Sequence, residues 1–294
     1  MANPGIEQTG PVWALLKKLS TKSGITEIVI NGPNDIFVEK QGEFISIDVK
    51  ITQDSINEFI NDVAIFNRKD LDENNPLFNG SLPDGSRINI AAPPIRLEGP
   101  AITIRRFLKS IQTFDSRQGI FGLSPDWVNF LKAAVKARMN IVVSGGTGVG
   151  KTTFLNLLLQ EVEKRQRKVI IEDVREINIA TPNTIRMESM QLSSGRNITV
   201  RDLVKNSLRM RPDRIVIGEI RGEEVFDLLQ AMNTGHDGCF ASIHANTPKE
   251  CLKRLEALYL LSGYDVPLKA ITHQIGRSID LIIQIKRNRN EKNR

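Results

Sequence analysis

The chain has 294 residues, a net charge of +6, 40% apolar residues and two cysteines. That is room for two domains or one large one, with ordinary globular composition. It excludes a helical membrane span, because no apolar run approaches the roughly 20 residues one requires. It also excludes a four-cysteine zinc module, because only Cys239 and Cys251 are present. Met1-Ala2-Asn3-Pro4-Gly5 lacks the basic and apolar regions of a signal peptide. The expectation is a cytoplasmic protein with two buried thiols, meeting any membrane from its inner face.

Val12, Leu15, Leu16 and Leu19 fall at helical spacing and predict an early amphipathic helix. Strands are predicted at 27–31, 35–40 and 43–47, with turns at Asn31-Gly32-Pro33-Asn34 and Lys40-Gln41-Gly42, giving an antiparallel meander. Ile56, Phe59, Ile60 and Val63 mark a second helix, and two further strands follow at 86–91 and 101–107. Helices on one side of a mostly antiparallel sheet make an α+β domain over 1–110. Residues 111–123 lack a period, contain two glycines and read as an interdomain linker with hinge motion.

The second domain, 124–294, opens on Ser124-Pro125 as helix cap and first helical residue. Trp127, Phe130, Leu131, Ala134 and Val135 form the predicted buried stripe. Strands then alternate with helices: strands at 140–144, 168–172, 214–218, 239–244 and 279–285, and helices near 151–164, 199–210, 223–233, 247–261 and 266–276. Thr247-Pro248-Lys249-Glu250 predicts a capping box. Such alternation implies a largely parallel sheet covered by helices, an α/β fold. The basic tail 286–294 reads as a solvated end, with contact to nucleic acid or acidic lipid as the alternative.

Between the strand at 140–144 and the following helix lies Gly145-Gly146-Thr147-Gly148-Val149-Gly150-Lys151-Thr152. It fits the phosphate-loop pattern G-x-x-x-x-G-K-[ST] in its strand–loop–helix context. Glycines let backbone N–H groups converge on phosphate oxygens, and the helix N-terminus adds its positive end. Gly146, Thr147, Gly148, Val149, Gly150, Lys151, Thr152 and Thr153 are therefore the nucleotide-binding candidates. Lys151 is read as reaching the β- and γ-phosphates, and Thr152 as the Mg²⁺ ligand.

Hydrolysis needs a carboxylate that handles water and groups that offset phosphate charge. Two acidic stations lie at predicted strand ends: Glu172-Asp173-Val174-Arg175-Glu176 and Gly218-Glu219-Ile220-Arg221. Ligands of open α/β sheets sit beyond the carboxyl ends of the strands, so both stations face the phosphate loop. Glu219 ends an apolar run and fits the Walker B position. His244 ends the strand Cys239-Phe240-Ala241-Ser242-Ile243 and is a candidate to sense phosphate or polarise the site. His236 follows a post-helix turn and is a weaker candidate, and His273 reads as structural. From spacing alone Arg87, Arg105 and Arg106 read as surface residues, although a guanidinium fork fits phosphate.

Together these residues resemble the secretion-superfamily ATPases, which drive type II and type IV secretion, pilus assembly and retraction, and conjugative transfer. Four boxes agree in order: Gly145 to Thr153 as Walker A, Ile171-Glu172-Asp173-x-x-Glu176 as the Asp box, Gly218-Glu219-Ile220-Arg221 as Walker B, and Thr234-Gly235-His236 through Ser242-Ile243-His244-Ala245-Asn246 as the His box. Ser207 to Ile215 and Leu229 to Gly238 extend the match and resemble the CpaF branch of tight-adherence pili most, and Leu82-Pro83-Asp84-Gly85-Ser86-Arg87 and Ile104-Arg105-Arg106-Phe107 match the family's N-terminal domain. The resemblance implies a PAS-like N-terminal domain, a RecA-like C-terminal domain, ATP and Mg²⁺ between them, and a homohexameric ring beneath an inner-membrane platform protein. It implies Glu176 as catalytic glutamate, Glu219 as the Walker B glutamate, His236 and His244 as box histidines, and Arg87, Arg105 and Arg106 as arginines that approach phosphates. The missing zinc module disfavours a type II or type IVa assembly motor, and the long N-terminal extension of many CpaF proteins is absent. Alternatives are a conjugative or type IV secretion ATPase, a non-hydrolysing switch, which Glu176 and Glu219 argue against, and a RecA-like nucleic-acid translocase. The translocase would want base-stacking aromatics, and at 5% aromatic content no nucleic-acid partner is expected.

Overall fold

The computed structural model describes residues 7–40, 42–106, 113–115, 119–179, 181–191 and 196–287, in two units, Met1–Lys109 and Ser110–Arg294. In the first unit come α1 (Pro11–Ser20), β1 (Ile25–Gly32), β2 (Asp35–Lys40), β3 (Glu43–Ser46), α2 (Gln53–Asn67), β4 (Leu77–Ser81), β5 (Arg87–Ala91) and β6 (Ala101–Arg105). The six strands form one sheet in the order β3-β2-β1-β6-β5-β4, every pairing antiparallel. Alternation fixes the buried face: Ile28, Ile30, Ile36, Val38, Ile88, Ile90, Ile102 and Ile104 all point into one core with the apolar faces of α1 and α2. Trp13 joins the two helices, its ring edge-on to Phe59 and its Nε1–H donating to Asp62 at 2.8 Å.

The second unit continues with a 3₁₀ turn (Ile120–Gly122), α3 (Pro125–Lys136), β7 (Ile141–Gly145), α4 (Lys151–Gln160), β8 (Lys168–Glu172), β9 (Thr184–Glu188), β10 (Met190–Gln191), β11 (Asn197–Ile198) and α5 (Val200–Ser207). Then follow β12 (Arg214–Ile220), α6 (Glu224–Asn233), β13 (Phe240–Ile243), α7 (Pro248–Leu260), α8 (Leu268–Ser278) and β14 (Leu281–Ile285). Its main sheet is parallel throughout, in the order β14-β7-β13-β12-β8-β9. Val142, Ile171, Ile217 and Ala241 face a core built with α5 to α8. Ile141, Val143, Ile170 and Val216 face the opposite core, built with α3 and α4. A sheet buried on both faces needs the unbroken apolar runs of β7 and β8.

Several expectations are corrected. On α3, Leu131, Ala134 and Val135 are buried, but Trp127 is 58% and Phe130 43% exposed, so the apolar stripe is wider than the face that packs. Thr247 accepts from the Glu250 N–H, but Glu250 accepts from Asn246 rather than from Thr247, so the predicted box is half closed. His273 lies on α8, the late helix expected for it, and is exposed. Of the expected linker, Phe114 and Ile120 are buried in the second unit's core, while residues 111–112 and 116–118 lie outside the described residues, as do Phe107 and tail residues 288–294. Both cysteines are buried and free. No described helix is long and apolar enough to cross a membrane.

Candidate nucleotide site

β7 ends at Gly145, where a Cβ would meet Val149 Cγ2 at 2.7 Å and the Ile285 carbonyl oxygen at 2.8 Å, so β14 and the loop close directly on the glycine. Gly148 and Gly150 take left-handed backbone, φ +70° and +99°, which turns the loop into the first residue of α4. Lys151 is 8% exposed, and its Nζ donates to the Gly146 carbonyl at 2.9 Å, folding the ammonium back over the loop. Thr152 Oγ1 donates to Glu176 Oε2 at 2.8 Å, joining the loop to the acidic station after β8.

The Walker B station is aimed by a bulge. β12 pairs Ile217 with Ala241 and Ile220 with Ile243, so it carries one extra residue at Gly218-Glu219. The Ser242 hydroxyl donates to the Gly218 carbonyl at 2.6 Å and secures the bulge. Glu219 then lies 2.5 Å, Oε1 to Nε2, from His244, and its other oxygen accepts from Arg221 Nε at 2.7 Å. Arg221 reaches on to Asp173 at 3.4 Å, so the two acidic stations share one guanidinium.

Lys151 Nζ is 3.3 Å from both ring nitrogens of His244. Burial is the largest influence on the imidazole and pulls its pKa below the ordinary value; Glu219 opposes this and Lys151 reinforces it. The ring lies between the Lys151 ammonium and the Glu219 carboxylate, within reach of both. The contacts thus run Lys151, His244, Glu219, Arg221, Asp173 along the carboxyl ends of β7, β13, β12 and β8. Beside them Gly146, Thr147, His244, Asn246, Glu250 and Arg254 line a cleft of about 350 Å³.

The structure does not bring His236 to this cluster. It precedes β13, whose Phe240 pairs with Ile141, so it lies at the amino end of the sheet while the phosphate loop leaves the carboxyl end. Its ring Nδ1 is buried without a hydrogen-bond partner. In the first unit Arg87 and Arg105 are register neighbours on β5 and β6. The Arg106 guanidinium is spent on main-chain carbonyls of Leu19, Ser20, Lys22 and Ile25, closing the carboxyl end of α1.

Sequence reasoning gave Glu172 and Arg221 no individual role. Glu172 is 4% exposed, and its Oε1 accepts from the backbone N–H of Glu176 and of Ile177, both at 2.9 Å. Burial pushes its pKa up to about 7 against the lowering effect of those two N–H groups. The sequence offered half of the signal, a glutamate closing the apolar run Val169-Ile170-Ile171; the glycine that makes room for it lies on another strand.

Fold and site together define a phosphate-loop nucleotide-binding protein with the carboxylates that hydrolysis requires. The chain matches the family model of type II/IV secretion system proteins over residues 9–294 and belongs to that family. It is 34% identical over 268 residues to conjugal transfer protein TrbB of Rhizobium radiobacter, covering 90% of this chain and 80% of that one. It is 30% identical over 299 residues to a putative conjugal transfer protein of Mycobacterium tuberculosis, covering 98% and 84%. Among solved structures it is similar to the VirB11 ATPase of the Brucella suis type IV secretion system, at 27% identity and a TM-score of 0.52, covering 94% and 88%. The chain is a secretion-family ATPase with a RecA-like second unit and an antiparallel first unit.

Proposed function

We propose that this chain hydrolyses Mg-ATP as a homohexameric ring and passes interdomain movement to a membrane platform protein, from the cytoplasmic face. The observation that carries the catalytic reading is the Thr152–Glu176 hydrogen bond. It holds a carboxylate against the hydroxyl that phosphate loops offer to a magnesium ion. That oxygen pair suits a small hard cation that keeps several waters and takes few protein ligands. Thr152 would hold the ion, which supplies neutralisation of charge on the β- and γ-phosphate oxygens.

The chain's own residues then divide the work. The N–H groups of the loop and the first turn of α4 bind phosphate oxygens. Lys151 exchanges the Gly146 carbonyl for phosphate, while neutral His244 keeps its ammonium in line. Glu219 stands against the imidazole, its Oε1 facing Nε2. Glu176 takes a proton from water as the water oxygen bonds to the γ-phosphorus and the bond to the β–γ bridging oxygen breaks, releasing ADP and phosphate. Arg87 and Arg105 are the first unit's candidates for phosphate contact. Arg106 would first have to leave four carbonyls, and His236 has no part in the site.

The names of the relatives support a conjugative or type IV secretion motor as the branch. The likeness of Ser207 to Ile215 and Leu229 to Gly238 to the CpaF branch keeps a tight-adherence pilus motor as the second reading. Phosphate release and solution mass of the intact chain with Mg-ATP test both halves. The expected result is hydrolysis by a particle of six 32.9 kDa chains. Absence of phosphate release would overturn the enzyme reading, and full turnover per chain by a monomer would overturn the ring.

A further inference from the structure

We infer that Glu172 is the positioning residue for the Glu176 carboxylate, acting by holding the main chain of the Asp-box loop rather than by touching nucleotide. The inference rests on the reading of Glu176 as the base. Glu176 sits four residues past the end of β8, on a segment with no regular structure. Such a segment presents its side chain reproducibly only if its own backbone groups are tied down. Two of them, the N–H groups of Glu176 and Ile177, converge on one buried oxygen, Glu172 Oε1. The next, that of Asn178, is taken by Asn156 Oδ1 on α4 at 2.9 Å. Ile177 is fully buried between these two anchors, so the loop is pinned from the sheet and from the helix at once.

Neighbouring strands are built to admit that carboxyl. Ile217 pairs with Ile171, which sets Gly218 beside Glu172. A Cβ on Gly218 would lie 2.9 Å from Glu172 Cγ and 3.3 Å from Oε1. Gly218 belongs to the bulge that aims Glu219, so one glycine serves both stations: it leaves room for Glu172 and re-aims Glu219. On the other side Glu172 pairs in register with Glu188 of β9, and its carbonyl accepts from the Ser189 N–H at 3.0 Å. Glu172 therefore has no freedom to move with the loop; the loop is fixed to it.

A residue that only fills the core and one that positions the base make different predictions. Glu172→Ala removes the acceptor, while Glu172→Gln keeps an oxygen where both N–H groups need it. The experiment is steady-state hydrolysis by the full chain, equilibrium binding of a non-hydrolysable ATP analogue, and amide exchange at residues 176 and 177. For Glu172→Ala we expect kcat to fall about 100-fold, the cost of a misplaced catalytic group. Analogue affinity should stay within about twofold, and both amides should exchange faster. For Glu172→Gln we expect kcat within about threefold of the parent and protected amides.

An unchanged kcat in Glu172→Ala overturns the inference. So does a Gln variant as impaired as the Ala variant, or analogue affinity that falls in step with kcat, the pattern of general structural damage. Glu176→Gln separates the inference from the reading beneath it. If that variant is inactive while Glu172→Ala turns over normally, the positioning role alone fails. If Glu176→Gln turns over normally, both fail.

Discussion

The two ends of the parallel sheet in the second unit both carry charged side chains and use them in opposite ways. At the amino end Arg214 is 1% exposed and Lys168 fully buried. Arg214 donates to Gln166, to the Gly238 carbonyl and to the Val135 carbonyl, and Lys168 to the carbonyls of Gln166 and Glu163. Burial pulls the Arg214 guanidinium down to about 10. Asn140 seals the same end: it donates to the Ser278 carbonyl and accepts from the N–H groups of Gly238 and Cys239. The side-chain donors of Arg214, Lys168 and Asn140 all find main-chain or amide oxygens, which is how a protein closes a surface. At the carboxyl end Lys151, His244, Glu219, Arg221 and Asp173 bond mainly to one another beside an open cleft. Mutual pairing of ionisable groups next to free volume is the mark of a site that will trade partners for a ligand. Charge does not tell the two ends apart; the partners do.

The difference can be broken from either side. The largest effect on activity should come from Lys151→Ala, with phosphate release falling by about three orders of magnitude and the thermal midpoint within about 2 °C of the parent, measured on the same preparation. The largest effect on stability should come from Gly238→Ala. Gly238 has φ +82°, and a Cβ there would lie 1.9 Å from Arg214 Nη1. Denaturant unfolding should show a loss of about 3 kcal/mol or more, with correspondingly little folded protein. Next comes His244→Ala, expected to cost about tenfold in kcat through loss of the contact that lines up Lys151. A gain in stability at no cost in activity would contradict that role.

The effect on activity at fixed pH is smallest for the last test, which reads pH dependence. Glu172 has a folded pKa of about 7 against an ordinary 4.5. The folded chain therefore holds more protons than the unfolded chain across that window, and stability must fall as pH rises through it. The full shift corresponds to on the order of 3 kcal/mol, spread from about pH 4.5 to 7. Glu172→Gln should flatten that slope in thermal melts, and an unchanged slope would show that another group carries it.

How far the sequence reveals this comparison depends on the element. The buried strands β7, β8 and β12 were legible because a sheet covered on both faces demands continuous apolar runs, and the phosphate loop because its glycines are required by geometry. The strand β4 was not, since Leu77-Phe78-Asn79-Gly80-Ser81 holds no sustained apolar run. The glycine is there because Asn67 and Phe78 leave no room, at 2.6 and 2.7 Å from a Cβ. The edge strand β9 alternates without an apolar run and was missed as well. Within the site, motif spacing located Lys151, Thr152, Glu176, Glu219 and His244. It did not say which end of a strand a box residue occupies, so His236 was grouped with residues that lie across the sheet from it. Arg106 looked available because a guanidinium's partners are carbonyls of distant residues that no local pattern records. Glu172 was quoted with its station yet left without a role, because burial of its oxygen depends on Gly218 of a strand more than forty residues later.

The central claim is that Glu176, held at the phosphate loop by Thr152, is the base for ATP hydrolysis. Phosphate release by Glu176→Gln under saturating Mg-ATP, with analogue binding measured in parallel, tests it most directly. The account predicts turnover reduced at least about 100-fold with nucleotide affinity retained. Turnover within a few-fold of the parent chain would contradict it.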